Sequence, residues 1–316
     1  MFWCPGDRAR PVLRVSSPGD PDLRNEPVDG FPGALLFRKP SRRPLPVVIV
    51  LGGSEGGSLF GRTFGPWLAS QGYAVLVLPY YAPDWGSEKL PGLPVDFADI
   101  PVDRLTAVRQ WIEARPDLDR RRIGLYGVSK GGEMAIIAAS RFPWLKAVAA
   151  IVPSDVVWEG WGPNVKEDDT RSSFSWAGKP LPFVPYEAMR ETIAALYRGE
   201  ARTLRAPHER GRAANPARVA SATIPIERYR GALLVAGGGK DETWPSAIMA
   251  ENIGLTRKRN GLSTTVLKFP DAGHGLSGSG WEPENYPRMA SSPMATAHAQ
   301  MAVRKAALDL FAKALR

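Results

Sequence analysis

Arg122-Ile123-Gly124-Leu125-Tyr126-Gly127-Val128-Ser129-Lys130-Gly131-Gly132-Glu133-Met134-Ala135-Ile136-Ile137-Ala138-Ala139-Ser140 is the stretch on which the reading of this chain turns. Residues 122–127 read as a compact strand, and from Lys130 the apolar spacing becomes that of a helix. Between them Gly127-Val128-Ser129-Lys130-Gly131 places a serine at the apex of a sharp strand-to-helix turn. Side chains two before and two after that serine would collide across a turn tight enough to strain its backbone, so glycine is needed at both places. The expected product is an exposed, activated hydroxyl.

A lone G-x-S-x-G is a weak signal in a chain with 32 glycines. It gains meaning from residues more than a hundred positions further along the chain. Ala232-Leu233-Leu234-Val235-Ala236 reads as a buried strand that runs through Gly237-Gly238-Gly239-Lys240 to Asp241. Thr264-Thr265-Val266-Leu267-Lys268-Phe269 reads as another, running through Pro270-Asp271-Ala272-Gly273 to His274. Serine, acid and histidine thus occur in the order expected of an α/β-hydrolase, each just past a strand. A serine hydroxyl is a poor nucleophile at neutral pH. His274 is therefore expected to take its proton and return it to the leaving group, with Asp241 holding the imidazole tautomer. The chain has three histidines. His208 lies in an Arg-rich stretch and His298 in a helical pattern, so both are read as surface or packing residues.

Acyl transfer also needs donors for a developing oxyanion. The first expected is the backbone N–H of Lys130, directly after the nucleophile. The second is Ser54 or its neighbour Gly53, in the Gly52-Gly53-Ser54-Glu55-Gly56-Gly57 loop that succeeds the apolar strand Val47-Val48-Ile49-Val50-Leu51. A phosphate cradle is excluded: Gly239-Lys240 is followed by Asp241 where a P-loop needs Ser or Thr, and no G-x-G-x-x-G comes after the first long strand. Sparse histidines and the single Cys4 offer no metal cluster at usable spacing, and no cofactor is expected.

At 316 residues with 44% apolar content the chain can bury one large core. No run approaches the ~18 apolar residues of a membrane span, and Met1-Phe2-Trp3-Cys4-Pro5-Gly6-Asp7-Arg8 lacks a secretory apolar segment, so a cytoplasmic protein is expected. A net charge of +9 raises nucleic-acid binding. The basic clusters, however, are not interleaved with aromatics as a base-stacking surface would be, and that partner is rejected. A milder reading has some of them attracting a phosphate-bearing acyl carrier.

Alternating strand and helix patterns predict a mostly parallel sheet with helices on both faces. Helices are expected at Arg62 to Gln71 and Asp103 to Ala114, and strands at 73–79 and 145–152. The first 45 residues read as a β-meander or hairpin, with turns at Pro18-Gly19-Asp20-Pro21 and Asp29-Gly30-Phe31-Pro32-Gly33. Residues 155–230 break the rhythm with a segment rich in Trp, Pro and Arg, read as a cap on the nucleophile's edge. Tyr80, Tyr81, Trp158, Trp161 and Trp176 are its pocket candidates, with packing against the scaffold the competing reading.

Gly124-Leu125-Tyr126-Gly127-Val128-Ser129-Lys130-Gly131-Gly132-Glu133, Ala147-Val148-Ala149-Ala150-Ile151-Val152-Pro153-Ser154 and Val157-Trp158-Glu159-Gly160 together resemble the C-terminal catalytic domain of acyl-CoA thioesterases and bile acid-CoA:amino acid N-acyltransferase. Pro270-Asp271-Ala272-Gly273-His274 and Ala295-Thr296-Ala297-His298-Ala299-Gln300 are similar to it too, and the resemblance runs over residues 27–314. It implies an α/β-hydrolase fold, with Ser129, Asp241 and His274 at the family's triad positions. Animal members carry an N-terminal β-sandwich; here fewer than 50 residues precede the first core strand, so a single domain over 1–316 is expected. The conjugating transferase uses cysteine as nucleophile and the thioesterases serine, so Ser129 points to water as acceptor. The resulting expectation is a serine hydrolase acting on small acyl thioesters, acyl-CoA or carrier-bound. The alternatives are a carboxylesterase of dienelactone-hydrolase or peptidase type, acyl transfer to an amine or alcohol, and a hydrolase-fold binding protein without catalysis.

Overall fold

Apolar runs too hydrophobic for a half-solvated strand form the middle of one eight-stranded sheet. The computed structural model describes residues 20–166, 168–280 and 291–316. β1 (Arg24–Pro27) and β2 (Leu35–Arg38) make a hairpin, followed by β3 (Leu45–Leu51), α1 (Leu59–Ser70) and β4 (Ala74–Val77). A short β5 (Ile100–Pro101) precedes α2 (Leu105–Glu113), β6 (Leu118–Val128), α3 (Lys130–Arg141) and β7 (Leu145–Ile151). An inserted segment then holds β8 (Phe174–Trp176), β9 (Lys179–Pro180), α4 (Met189–Tyr197), α5 (Arg205–Ala214) and α6 (Pro216–Ala222). Beyond it, β10 (Ala232–Gly238), α7 (Ser246–Arg259), β11 (Thr265–Phe269) and α8 (Pro293–Leu315) complete the sheet and its covering helices.

The sheet order is β1-β2-β4-β3-β6-β7-β10-β11. β2 pairs antiparallel with β1 and with β4, and β4-β3-β6-β7-β10-β11 run parallel. Such strands are buried on both faces, which is why Val47 to Leu51 and Ala74 to Val77 read as unbroken apolar runs. Alternate residues serve opposite layers. Val47, Ile49 and Leu51 pack with α2, α3 and α7 through Leu105, Val108, Ile112, Met134, Ile137 and Ile253. Val48 and Val50 pack with α1 and α8 through Phe64, Leu68, Val303, Ala307 and Phe311. Parallel register brings the C-terminal ends of β6, β7 and β10 level, with Val128 opposite Ile151 and Ile151 opposite Ala236.

The architecture is the predicted one, with boundaries displaced by a few residues. The first core helix begins at Leu59 rather than Arg62, and the second at Leu105, after a 3₁₀ turn over Val102–Arg104. The strand leading to Ser129 is longer than 122–127, beginning at Leu118. The Asp29–Gly33 turn closes the β1–β2 hairpin. The N-terminal stretch with Cys4, and Pro18 and Gly19 of the other turn, lie outside the described residues. The inserted 155–230 segment is not structureless: among its described residues it carries three α-helices and a 3₁₀ turn over Ile226–Arg228, and β8 joins β5 and β9 in a separate three-stranded sheet.

Candidate active site

Ser129 lies directly between β6 and α3, at φ 56° and ψ −122°, in a region that costs a non-glycine residue strain. Its N–H donates to Ile151 O at 2.9 Å and its carbonyl accepts from Glu133 N at 2.9 Å, so the flanking elements hold the strained turn. A Cβ on Gly127 would stand 2.1 Å from Gly131 O, and one on Gly131 2.2 Å from Gly52 O. Backbone therefore passes backbone where both glycines sit, as the motif's sterics predict.

His274 Nε2 is 2.9 Å from Ser129 Oγ, and its Nδ1 is 2.9 Å from both carboxylate oxygens of Asp241. Residues 145 positions apart meet because β6, β10 and β11 end on one edge of the sheet. Asp241 is almost fully buried, yet its carboxylate is well supplied with donors. Oδ1 accepts from the Thr243 and Trp244 amides at 2.8 and 3.2 Å, and Oδ2 from Ser246 Oγ at 2.5 Å. With the acid accepting at Nδ1, that nitrogen carries the proton and Nε2 faces Ser129 as an acceptor. Trp244 packs edge-on to the His274 ring at 5.8 Å. Ser129 is only 9% exposed, against the expectation of an open hydroxyl, because His274 and the 52–54 loop approach it closely.

Lys130 opens α3, and its N–H has no acceptor among the described residues; neither has that of Ser54. Gly53 N–H, the other amide expected to be a donor, is engaged by Glu55 Oε1 at 2.9 Å. The Lys130 side chain does something the sequence did not announce. Its ammonium bonds Glu133 Oε2 at 2.6 Å and Ser173 Oγ at 2.9 Å, and faces the rings of Phe97, Trp161 and Phe174 at 5.1, 5.4 and 5.3 Å. Glu133 Oε1 accepts the Trp158 N–H at 3.0 Å. Burial pushes the Lys130 ammonium down and the Glu133 carboxyl up from their usual ranges, and each charge offsets the other's shift. This pair ties the helix that follows Ser129 to the inserted cap.

The aromatic candidates divide. Trp158 is wholly buried, stacked on Tyr186 with its indole N–H on Ser154 Oγ at 2.8 Å. Tyr80 is buried with its hydroxyl on Gly52 O at 2.8 Å, and Tyr81 is buried edge-on to Phe97. Trp176 packs on Phe142 and Arg141 at the far end of α3. For these four, the contacts observed are ring packing and hydrogen bonds within the fold. Trp161 is partly buried, stacked on Phe97 at 4.5 Å. His208 is a packing residue and not a surface one: its ring sits among Trp158, Tyr186 and Trp244, and Nδ1 is 2.9 Å from Leu204 O. Burial pushes its pKa down to about 3. His298 is exposed on α8. Sequence reasoning missed Ser246, Trp244 and Glu55, since nothing local marks a serine five residues past an acid or a glutamate in a glycine loop. The Lys130–Glu133 spacing of i, i+3 was the one available signal for the buried pair.

A cavity of about 550 Å³ lined by Val28, Phe31, Leu35 and Arg62 opens beside the β1–β2 hairpin, and none of Ser129, Asp241 and His274 lines it. Among the described residues no group of His, Cys, Asp and Glu is arranged to hold a metal ion, and no helix is long and apolar enough to cross a membrane.

Comparison with known proteins adds to this geometry. The family described as BAAT / Acyl-CoA thioester hydrolase C terminal matches residues 106–279, from α2 past the histidine, which is more than half of the chain. The chain belongs to that family. The dienelactone hydrolase family also matches, over residues 33–168. Acyl-coenzyme A thioesterase 2, mitochondrial, of Mus musculus is 27% identical over 256 residues, 80% of this chain and 50% of its own. Acyl-coenzyme A amino acid N-acyltransferase 2 of Rattus norvegicus is 28% identical over 256 residues, 80% of this chain and 54% of its own. The chain therefore spans about half the length of the curated relatives it matches. Among solved structures, a putative dienelactone hydrolase from Klebsiella pneumoniae aligns with TM-score 0.54 at 18% identity, covering 89% of this chain and 92% of that one. An esterase from Pyrobaculum calidifontis aligns with TM-score 0.54 at 16% identity, covering 93% and 87%. Both show the α/β-hydrolase fold.

Proposed function

We propose that this chain hydrolyses acyl thioesters, by transfer of the acyl group to Ser129 and then to water. The observation that carries the reading is the unbroken line of contacts Ser129 Oγ, His274 Nε2 and Nδ1, and Asp241, each 2.9 Å long, ending on a strained serine. Ser129 Oγ attacks the thioester carbonyl carbon while His274 Nε2 takes its proton, and Asp241 stabilises the imidazolium. Negative charge moves to the carbonyl oxygen, which the Lys130 and Ser54 amides receive. Collapse breaks the carbon–sulfur bond, and the thiolate leaves with the proton from Nε2. Water then repeats the sequence on the acyl-serine: His274 takes its proton and returns it to Ser129 Oγ. Every proton removed is returned within the cycle, so the chemistry calls for no cofactor.

Thioester as the substrate class is supported by family membership and by the thioesterase relatives. The cap's arginines are consistent with a phosphate-bearing thiol carrier, although Arg212 is committed to Asp155 and Arg205 to Glu209. A second reading, transfer to an amine, is favoured by the equally similar N-acyltransferase relative. The test is thiol release from acyl-CoAs of short, long and aromatic acyl groups, by wild type and Ser129→Ala, beside p-nitrophenyl esters and with and without glycine. Ser129-dependent release that exceeds ester turnover in kcat/KM and leaves free acid is expected. Ester turnover without thioester turnover would replace the substrate class, and an acyl-glycine product would replace the acceptor.

A further inference from the structure

A set of hydrogen bonds holds the 52–58 loop, and the Ser54 amide stands outside it. The Tyr80 hydroxyl donates to Gly52 O at 2.8 Å, and Gly57 N–H donates to Tyr81 O at 2.8 Å. Gly56 N–H reaches Gly53 O at 3.4 Å. Ser58 is held at both N and Oγ by Glu88, at 2.6 and 2.7 Å. Glu55 turns back on its own loop, its Oε1 accepting Gly53 N–H at 2.9 Å. Ser54 N–H has no acceptor among the described residues. The position a Cβ on Gly53 would take lies 2.8 Å from Glu55 Oε2, 3.1 Å from Ser129 Cβ and 3.5 Å from Ser129 Oγ. Carboxylate and nucleophile thus flank the same glycine.

We propose that Glu55 is a positioning residue for the oxyanion site: by taking up Gly53 N–H it fixes the Gly52–Gly53 peptides and leaves Ser54 N–H as the donor presented beside Ser129. The inference rests on the serine acyl-transfer reading above. A Gly-Gly step has little conformational preference of its own, so without an acceptor at position 55 the loop has no reason to hold one peptide orientation. A donor fixed before the reaction helps more than one that must be recruited during it. The arrangement also has a cost, because it sets a carboxylate near the place where negative charge develops. Acceptor geometry and charge therefore make opposite demands on this side chain, and that separates them experimentally. Glutamine keeps the accepting oxygen and removes the charge; alanine removes both.

The experiment compares wild type, Glu55→Ala and Glu55→Gln on the thioester and the p-nitrophenyl ester that wild type turns over best. It adds the inhibition constant of an alkyl trifluoromethyl ketone, whose serine adduct places an oxyanion on the same donors, and a thermal melt of each variant. Losing a well-placed oxyanion donor costs about 10²–10³ in kcat, so a loosened one is expected to cost Glu55→Ala about tenfold or more, with KM changed less than about threefold. The ketone's inhibition constant rises by the same factor as kcat falls, a correlation that loss of folding alone would not produce. Glu55→Gln recovers kcat to within about threefold of wild type, or above it. Glu55→Ala with wild-type kcat and ketone affinity overturns the proposal, as does Glu55→Gln impaired as far as Glu55→Ala, which would assign the effect to charge. Were wild type itself to show no Ser129-dependent turnover of any ester or thioester, the acyl-transfer reading would fall, and this inference with it.

Discussion

Replacing Lys130 with methionine removes an ammonium from between Glu133, Ser173 and three aromatic rings while keeping most of the side-chain volume. Glu133 is then a carboxylate with no exposed surface, left with the Trp158 N–H as its remaining partner. Breaking a buried pair by removing one member costs about 3–5 kcal/mol, because the survivor's desolvation is no longer offset. The loss of ammonium against the Phe97, Trp161 and Phe174 faces adds about 1–2 kcal/mol, part of which methionine recovers by contact. Lys130→Met is therefore expected to lose about 3–5 kcal/mol in urea unfolding followed by tryptophan fluorescence. Lys130→Met/Glu133→Gln, which buries a neutral amide able to keep the Trp158 bond, is expected to recover at least about 2 kcal/mol of it. The sign of the pH dependence comes from burial, which already raises the Glu133 carboxyl in the intact pair. Without Lys130 its folded pKa rises further, and a raised folded pKa contributes stability that is present at low pH and lost as pH rises. The single variant's deficit should thus be smaller at about pH 5 than at about pH 8. A deficit below about 1 kcal/mol, the range of exposed pairs, would refute the reasoning, as would a double variant no more stable than Lys130→Met.

Ser246→Ala removes the hydroxyl that donates to Asp241 Oδ2 and accepts Gly238 N–H, and is expected to lower kcat about tenfold with KM little changed; steady-state kinetics within about twofold of wild type would dismiss the role. His208 has a folded pKa of about 3 against an ordinary value of 6.5, so below pH 6.5 the unfolded chain takes up a proton that the folded one refuses. Its contribution lowers stability by up to about 1.4 kcal/mol per pH unit from about 6.5 downward, and unfolding of His208→Gln at about pH 7, 6 and 5 should show a shallower fall than wild type. Parallel slopes would contradict this. Arg212→Ala breaks the bidentate contact to Asp155, at 2.7 and 3.1 Å, that joins α5 to the start of the cap. Amide exchange over 155–222 should quicken while the sheet stays protected, with a cost of about 1–3 kcal/mol; unchanged exchange would mean that Asn252, which also bonds Asp155, suffices.

Strand, turn and helix around Ser129 could be read in advance because their causes are local. Apolar spacing marks β6 and α3, and the glycine requirement at 127 and 131 comes from the sterics of a single turn. Asp241 and His274 were legible for a related reason, since each comes just after a buried strand and chain order in this fold class is restrictive. That Gly53 N–H would be taken up within its own loop was not legible: it depends on where the Glu55 carboxylate folds back. The same holds for the cap, where composition announced aromatics but not which of them would be covered. Trp158 is sealed beneath Tyr186 and His208, while Trp161 lies stacked over Phe97.

By itself, then, the amino-acid sequence determined the order of strands and helices, the position of Ser129 in its turn, and the chemical kinds of residue near it. Periodicity and turn sterics act over a few residues and are written in neighbouring letters. Only the tertiary structure decided the 2.9 Å contact across 145 residues, the burial of the Lys130 ammonium against Glu133, and the capture of Gly53 N–H by the Glu55 carboxylate. Those depend on parallel strands ending level and on distant loops competing for the same donors, a balance of burial and hydrogen bonding that no short stretch of chain contains.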